Sequence, residues 1–168
     1  MLIRNADAER DAGGCASIYA PYVTDTAISF EEVPPTPAEM AERIDRLTTT
    51  HAWLVAEDHH EILGYAYACP HRERAAYRWT TEVSVYVDGR QQRRGAGRRL
   101  YDSLLDSLTE QGYQVALAVI GLPNDPSVAF HEAFGFEPAG VFHRLGFKFG
   151  EWWDVGWWEL DLAGGPAG

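Results

Sequence analysis

Only two cysteines, Cys15 and Cys69, occur among 168 residues. That is too few for a disulfide framework or a four-cysteine zinc site. No stretch reaches the roughly 18 consecutive apolar residues that a membrane-spanning helix needs. The opening Met-Leu-Ile-Arg-Asn-Ala-Asp lacks a basic-then-apolar leader, so the expected location is the cytoplasm. Internal repeats, low-complexity tracts and obvious linkers are also missing. Positive charge is scarce: 14 Lys and Arg stand against 25 Asp and Glu, for a formal net charge of −11. Such a balance argues against a nucleic-acid surface, and neither nucleic acid nor membrane is an expected partner. Apolar residues are what the chain has, 46% of it, enough for one domain with a sizeable core. That domain is expected over residues 1–162, with 163–168 (Ala-Gly-Gly-Pro-Ala-Gly) as a flexible tail.

The scarce positive charge is concentrated. Arg72, Arg74, Arg78, Arg90, Arg93, Arg94, Arg98 and Arg99 are eight of the 14 basic residues. Only Glu73, Glu82 and Asp88 lie among them, so this stretch is net +5, while the remainder, six basic against 22 acidic residues, is −16. Charge alone leaves two readings open, a solvated basic patch or a binding site for small anions. The motif inside the island has to decide.

Residues 2–4 have the pattern of a short strand, and Asp7 can cap a helix with Ala12, Cys15, Ile18 and Tyr19 on one face. Residues 21–35, with Pro21, Pro34 and Pro35, are expected as a loop carrying Ile28 and Phe30. Thr36-Pro37-Ala38-Glu39 is a helix start with a capping box, followed by the apolar face Met40, Ile44 and Leu47. Strands follow at 53–56 and 62–68 around a polar turn, and again at 80–87. A helix is expected over 95–111 with Leu100, Leu104, Leu105 and Leu108 as its core stripe. The run 115–120 fits a buried strand, 127–134 a short helix, and 140–146 and 152–162 two last strands. This order implies an α/β fold, a mixed sheet with helices on both faces.

The decisive segment is Val85-Tyr86-Val87-Asp88-Gly89-Arg90-Gln91-Gln92-Arg93-Arg94-Gly95-Ala96-Gly97-Arg98. A strand ends, a basic turn follows, and a glycine pair opens a helix. Glycines allow close backbone approach, and the free N–H groups of a first helical turn bind anions, so this is a pyrophosphate-binding arrangement. It is neither a P-loop, lacking Gly-Lys-Ser/Thr, nor a Rossmann fingerprint, lacking the third glycine.

Gln92-x-x-Gly95-x-Gly97 resembles instead the acetyl-CoA signature of the GNAT family of N-acetyltransferases. Asn124-x-x-Ser127-x-x-Phe130-His131-Glu132-x-x-Gly135-Phe136 resembles the family's next segment. The likeness extends to the phosphinothricin acetyltransferase branch through Ile28-Ser-Phe30, Trp53-Leu-Val-Ala-Glu57, Tyr77-x-Trp79-Thr-x-Glu82, residues 118–128, Gly146-Phe-Lys-Phe-Gly150 and Trp152-x-Asp154-Val-Gly-x-Trp158. It covers about residues 2–162. The resemblance implies a single-domain GNAT fold with a mostly antiparallel sheet. It also implies acetyl transfer from acetyl-CoA to the primary amine of a small amino acid, by direct attack in a ternary complex.

By the same resemblance, Val85, Tyr86 and Val87 offer strand backbone to the pantetheine and thioester. Arg93, Arg94, Gly95, Ala96, Gly97 and Arg98 hold the pyrophosphate, and Asn124 and Ser127 flank the pantetheine arm. Glu82 is the candidate general base, working through water, with a plain strand carboxylate paired to an arginine as the other reading. His131 stands where many relatives carry the tyrosine that protonates the departing thiolate; the alternative is a surface or capping histidine. Arg72, Arg74 and Tyr77 would bind the acidic groups of the acceptor, and Phe30 would wall its pocket. Arg72 departs from the lysine of the herbicide-resistance members, which bears on the acceptor's side chain. Other acceptors, a different small amine or a protein N-terminus, stay open, as does a non-catalytic acetyl-CoA-binding module.

Cys15 and Cys69 sit in apolar contexts and are expected in the core. No histidine pair has metal-ligand spacing, so no metal is expected. Trp152, Trp153, Trp157 and Trp158 load both faces of the last strand with large aromatics, which a small monomer cannot easily bury; a homodimer is expected.

Overall fold

The computed structural model describes residues 1–91 and 95–163. Strand β1 (Leu2–Asn5) pairs with β2 (Trp53–Asp58), which pairs with β3 (Glu61–Pro70), which pairs with β4 (Thr80–Val87). The sheet continues through β5 (Val115–Leu122), and its far end is β7 (Glu151–Asp161) and then β6 (Glu137–Lys148), giving the order β1-β2-β3-β4-β5-β7-β6. Every neighbouring pair is antiparallel except β4 with β5. Four helices join the strands: α1 (Ala8–Thr24), α2 (Pro37–Thr48), α3 (Ala96–Glu110) and α4 (Asp125–Glu132). The expected α/β class, with a mixed and mostly antiparallel sheet, is borne out. Among the described residues, no helix is long and apolar enough to cross a membrane.

Strand alternation divides the core between the two faces. On β2, Leu54 and Ala56 join the cluster formed with Leu100, Leu104 and Leu108 of α3, while Trp53 and Val55 join Cys15, Ile18, Met40 and Ile44 of α1 and α2. The α3 stripe is fully buried apart from Leu105, which packs at its edge. Burial pushes the Cys15 thiol up to about 12 and the Cys69 thiol up to about 11, which suits packing rather than nucleophilic attack. Arg4 grips both oxygens of the buried Asp11 at 2.7 and 2.8 Å and reaches Glu57 at 2.7 Å, so one guanidinium joins β1, α1 and β2.

The structure corrects three expected boundaries. The loop expected over 21–35 begins only after Thr24, because α1 runs through Pro21. Proline removes one backbone donor, but Tyr19 and Val23 on either side are buried and the Asp25 N–H closes the last turn on the Pro21 carbonyl. The short helix starts at Asp125 rather than 127 and ends at Glu132, because Asn124 caps it. Strand β6 is 12 residues long and shifts register twice, between Pro138 and Gly140 and between Phe142 and Gly146. By contrast, α2 starts where the sequence placed it, with both bonds of the Thr36–Glu39 capping box present. Of the expected tail, residues 164–168 lie outside the described residues.

Candidate active site

The feature that positions the site is a place where the sheet comes apart. Strands β4 and β5 pair only through Thr80–Val115, Thr81–Ala116 and Glu82–Leu117. Beyond Glu82, β4 stays bonded to β3 as far as Val87, and β5 stays bonded to β7 as far as Leu122, so the two strands diverge. Backbone groups of Val83–Val87 that would complete a ladder face the gap instead, except the Val87 carbonyl, which accepts the Tyr22 hydroxyl at 2.6 Å. A cleft of about 290 Å³ opens there, walled by Val83–Val87, Val119–Gly121, Asn124, Ser127 and His131. Gly97 of α3, Tyr22, Ile28, Pro126 and Phe130 complete its lining. The structure thus brings Val85, Tyr86, Val87, Gly97, Asn124, Ser127 and His131 together, as expected from the sequence.

At the α3 end of the cleft, Gly95 holds a left-handed conformation, φ +79°, and caps the helix without a side-chain bond. The first-turn N–H groups of Ala96, Gly97 and Arg98 have no intrahelical carbonyl to meet, which suits an anion. Arg98 is exposed, with its guanidinium 5.3 Å from the centre of the Phe134 ring. Arg93 and Arg94, also expected to meet the pyrophosphate, lie outside the described residues. Asn124 accepts the Ser127 N–H on its side-chain oxygen at 3.3 Å, capping α4, which fixes the side chain with its NH₂ group as the donor for a ligand.

His131 is buried rather than exposed, so the surface-histidine alternative does not describe it. Its ring lies edge-on to Tyr101, Phe130 and Phe136. Nδ1 is 2.7 Å from the Ser127 carbonyl, which can only accept; Nδ1 therefore carries the hydrogen and Nε2 the lone pair. Burial pulls the imidazole pKa below the ordinary histidine value, against the opposing pull of the Ser127 carbonyl. Burial thus favours the neutral imidazole in a resting His131.

Glu82 stands at the fork, on the last β4 residue paired to β5. Among the described residues its side-chain partner is a histidine. Oε1 lies 2.8 Å from Nδ1 of His71, a residue for which the sequence offered no motif. His71 sits two residues beyond Cys69, which is the register partner of Glu82, so the chain leaving β3 folds back over the carboxylate. Its ring is edge-on to Tyr77 at 5.4 Å and to Trp157 at 5.9 Å. Arg72, Arg74 and Tyr77 line a neighbouring hollow of about 570 Å³ with Pro70, His71 and Glu73. His71 therefore joins the arginine hollow to Glu82. Phe30 is at the opposite edge: its half-exposed ring lies against Gly121, a cleft residue, and Gly146 of β6. Among the described residues, no three His, Cys, Asp or Glu side chains are grouped to hold a metal ion.

A sheet forked between its parallel strands, with a glycine-opened helix at the mouth, defines a class, and comparison with known proteins gives the same one. The acetyltransferase (GNAT) domain family matches residues 3–157, and the chain belongs to that family. A phosphinothricin N-acetyltransferase of Streptomyces viridochromogenes is 45% identical over 95% of this chain and 87% of its own length. An L-methionine sulfoximine/L-methionine sulfone acetyltransferase of Pseudomonas aeruginosa is 35% identical over 91% of this chain and 93% of its own. The crystal structure of a phosphinothricin acetyltransferase from Sinorhizobium meliloti in complex with acetyl-CoA superposes with a TM-score of 0.92, at 36% identity over 99% of this chain and 91% of that one. The resemblance to the phosphinothricin branch is thereby borne out.

Proposed function

We propose that the protein transfers the acetyl group of acetyl-CoA to the primary amine of a small amino acid of the phosphinothricin, methionine sulfoximine or methionine sulfone kind. The observation that carries this reading is the adjacency of two sites at one fork. The cleft of parted backbone suits an extended thioester arm, and the arginine hollow beside Glu82 suits an acceptor bearing oxyanions. Arg72 and Arg74 would meet the acceptor's carboxylate and side-chain oxygens, with Tyr77 and Phe30 flanking it. Fixed N–H groups at the fork would polarise the thioester carbonyl.

In this mechanism both substrates are bound together. Glu82, through water, takes the first proton from the acceptor ammonium, and the freed amine attacks the thioester carbon. As the tetrahedral species collapses, the C–S bond breaks and the nitrogen sheds its second proton. Neutral His131 can take that proton on Nε2 and pass it to the departing thiolate, so its resting state suits a shuttle. His71 holds the Glu82 carboxylate against the acceptor hollow.

We also propose that the enzyme is a homodimer built on β6. This strand is the edge of the sheet, and Val141, Phe142, Leu145 and Phe147 are all exposed on it, with Trp152 beside them on β7. An apolar edge strand is an aggregation hazard unless a second copy covers it. Sedimentation velocity at micromolar concentration should give twice the monomer mass; a monomer there removes this part of the reading.

The deciding experiment is an acceptor screen with acetyl-CoA, read as released thiol. Phosphinothricin, methionine sulfoximine and methionine sulfone are compared with other amino acids and with peptides bearing free N-termini. Turnover on the first three supports the reading, and turnover on peptides alone overturns it.

A further inference from the structure

Lys148 is the chain's one lysine, and it is buried. It ends β6, where an exposed strand would be expected to present lysine to water. Its ammonium instead turns inward and donates three hydrogen bonds, to the carbonyls of Val23 at 2.6 Å, Thr26 at 2.8 Å and Ser29 at 2.6 Å. All three of its protons are used, and none of the three acceptors is a carboxylate. Burial lowers its pKa, while Glu32 and Glu31 act in the opposite sense.

The three carbonyls are not scattered. They mark the path by which the chain leaves the end of α1 and enters the segment carrying Ile28 and Phe30. A helix end leaves its last carbonyls without partners, and Lys148 satisfies Val23's while also drawing in two from the following turn. Two residues earlier on the same strand, Gly146 makes the space in which the Phe30 ring lies; a Cβ there would overlap the ring. Strand β6 therefore holds this segment at four consecutive points, residues 23, 26, 29 and 30. Ile28, between them, lines the cleft at the fork.

We propose that Lys148 is a positioning residue for the acceptor side of the site: through the Val23, Thr26 and Ser29 carbonyls it sets the 24–30 segment so that Phe30 flanks the amino acid and Ile28 closes the cleft where the amine meets the thioester. This rests on the reading of the fork as an acetyl-transfer site. Acetyl-CoA would lie along β4 and the start of α3, which Lys148 does not touch, so the two substrates should respond differently to its loss.

The test is Lys148→Met, which keeps the length of the side chain and removes the three donors, with Lys148→Arg beside it. A misplacement of about 1 Å in a positioning segment costs on the order of 10²-fold in efficiency. We expect the acceptor KM of Lys148→Met to rise at least tenfold, with the acetyl-CoA KM within twofold of the unaltered protein. Amide hydrogen exchange over residues 24–32 should accelerate while α3 keeps its protection. Arginine, whose planar fork cannot aim three donors at one point, should not restore the acceptor KM. Equal rises in both KM values, or unchanged exchange over 24–32, overturn the proposal. If the methionine variant does not fold, Gly146→Ala takes its place, since it displaces the Phe30 ring and leaves Lys148 intact. It must give the same acceptor-only change, and a folded Gly146→Ala with an unchanged acceptor KM is equally fatal. Failure of the functional reading looks different: the unaltered protein acetylates none of the amino acids, while the exchange result still stands.

Discussion

The two halves of the site are made of different materials. The half along β4 and α3 is largely main chain: a parted ladder from Val83 to Val87 and the open first turn after Gly95. The half to which we assign the acceptor is side chains on an irregular segment, Arg72, Arg74 and Tyr77, with His71 linking them to Glu82. Main-chain groups are present whatever residue stands there, so the first half can hold one invariant ligand through much sequence change. Side-chain groups are replaced one at a time, so the second half is where acceptor preference can move.

That contrast can be broken most sharply at Glu82. Glu82→Gln keeps shape and hydrogen bonding but removes the base, and turnover should fall by about 10²–10⁴-fold. Acetyl-CoA binding, followed by calorimetry, should be unchanged. A full rate in this variant would end the assignment of Glu82. The next effect in size is Arg74→Ala. A hydrogen bond to a charged group is worth about 1.5–3 kcal/mol, so the acceptor KM should rise roughly 10- to 100-fold. The acetyl-CoA KM should stay level, and a parallel rise in both would erase the division into halves.

Asn124→Ala probes the donor half, where a side chain serves mainly to hold backbone. Loss of its cap on α4 should lower stability by about 0.5–2 kcal/mol in urea unfolding. Any rise in KM should be confined to acetyl-CoA. The smallest expected effect on either half comes from acid. Folded Asp11 and Glu57 have pKa values below the ordinary carboxylate range: for Asp11 burial opposes the shift and Arg4 wins, and for Glu57 the Arg4 bond is the largest cause. Groups with depressed folded pKa values stabilise the fold above their unfolded values and lose that contribution as pH falls through the folded ones. The thermal unfolding temperature should therefore fall as pH drops below about 4. This network joins β1, α1 and β2, and none of its residues lines the cleft at the fork. An unfolding temperature that holds level in acid would remove the network from the stability of the fold.

Much of the fold was legible because its signals are local. The Thr36–Glu39 capping box placed the start of α2, and the leucine stripe from Leu100 placed α3. Pro21 misled for the same reason, since a local helix-breaking signal was outweighed by burial of its neighbours. The residues gathered at the cleft and its mouth were legible too, since Gly95, Gly97, Asn124 and Ser127 lie in short ordered motifs. His71 and Lys148 were not. Each meets its partner across a distance in sequence, 11 residues for His71 and Glu82 and 125 for Lys148 and Val23.

The sequence by itself determined the order of the elements and the glycine-opened start of α3, because each depends on spacing within a few residues. Only the tertiary structure decided that β4 and β5 part after Glu82, that His71 shares its carboxylate, and that a lone lysine turns inward to hold the segment above the cleft. The physical reason is that hydrogen bonds and burial are settled between groups brought together by the sheet, and no local pattern records which groups those will be.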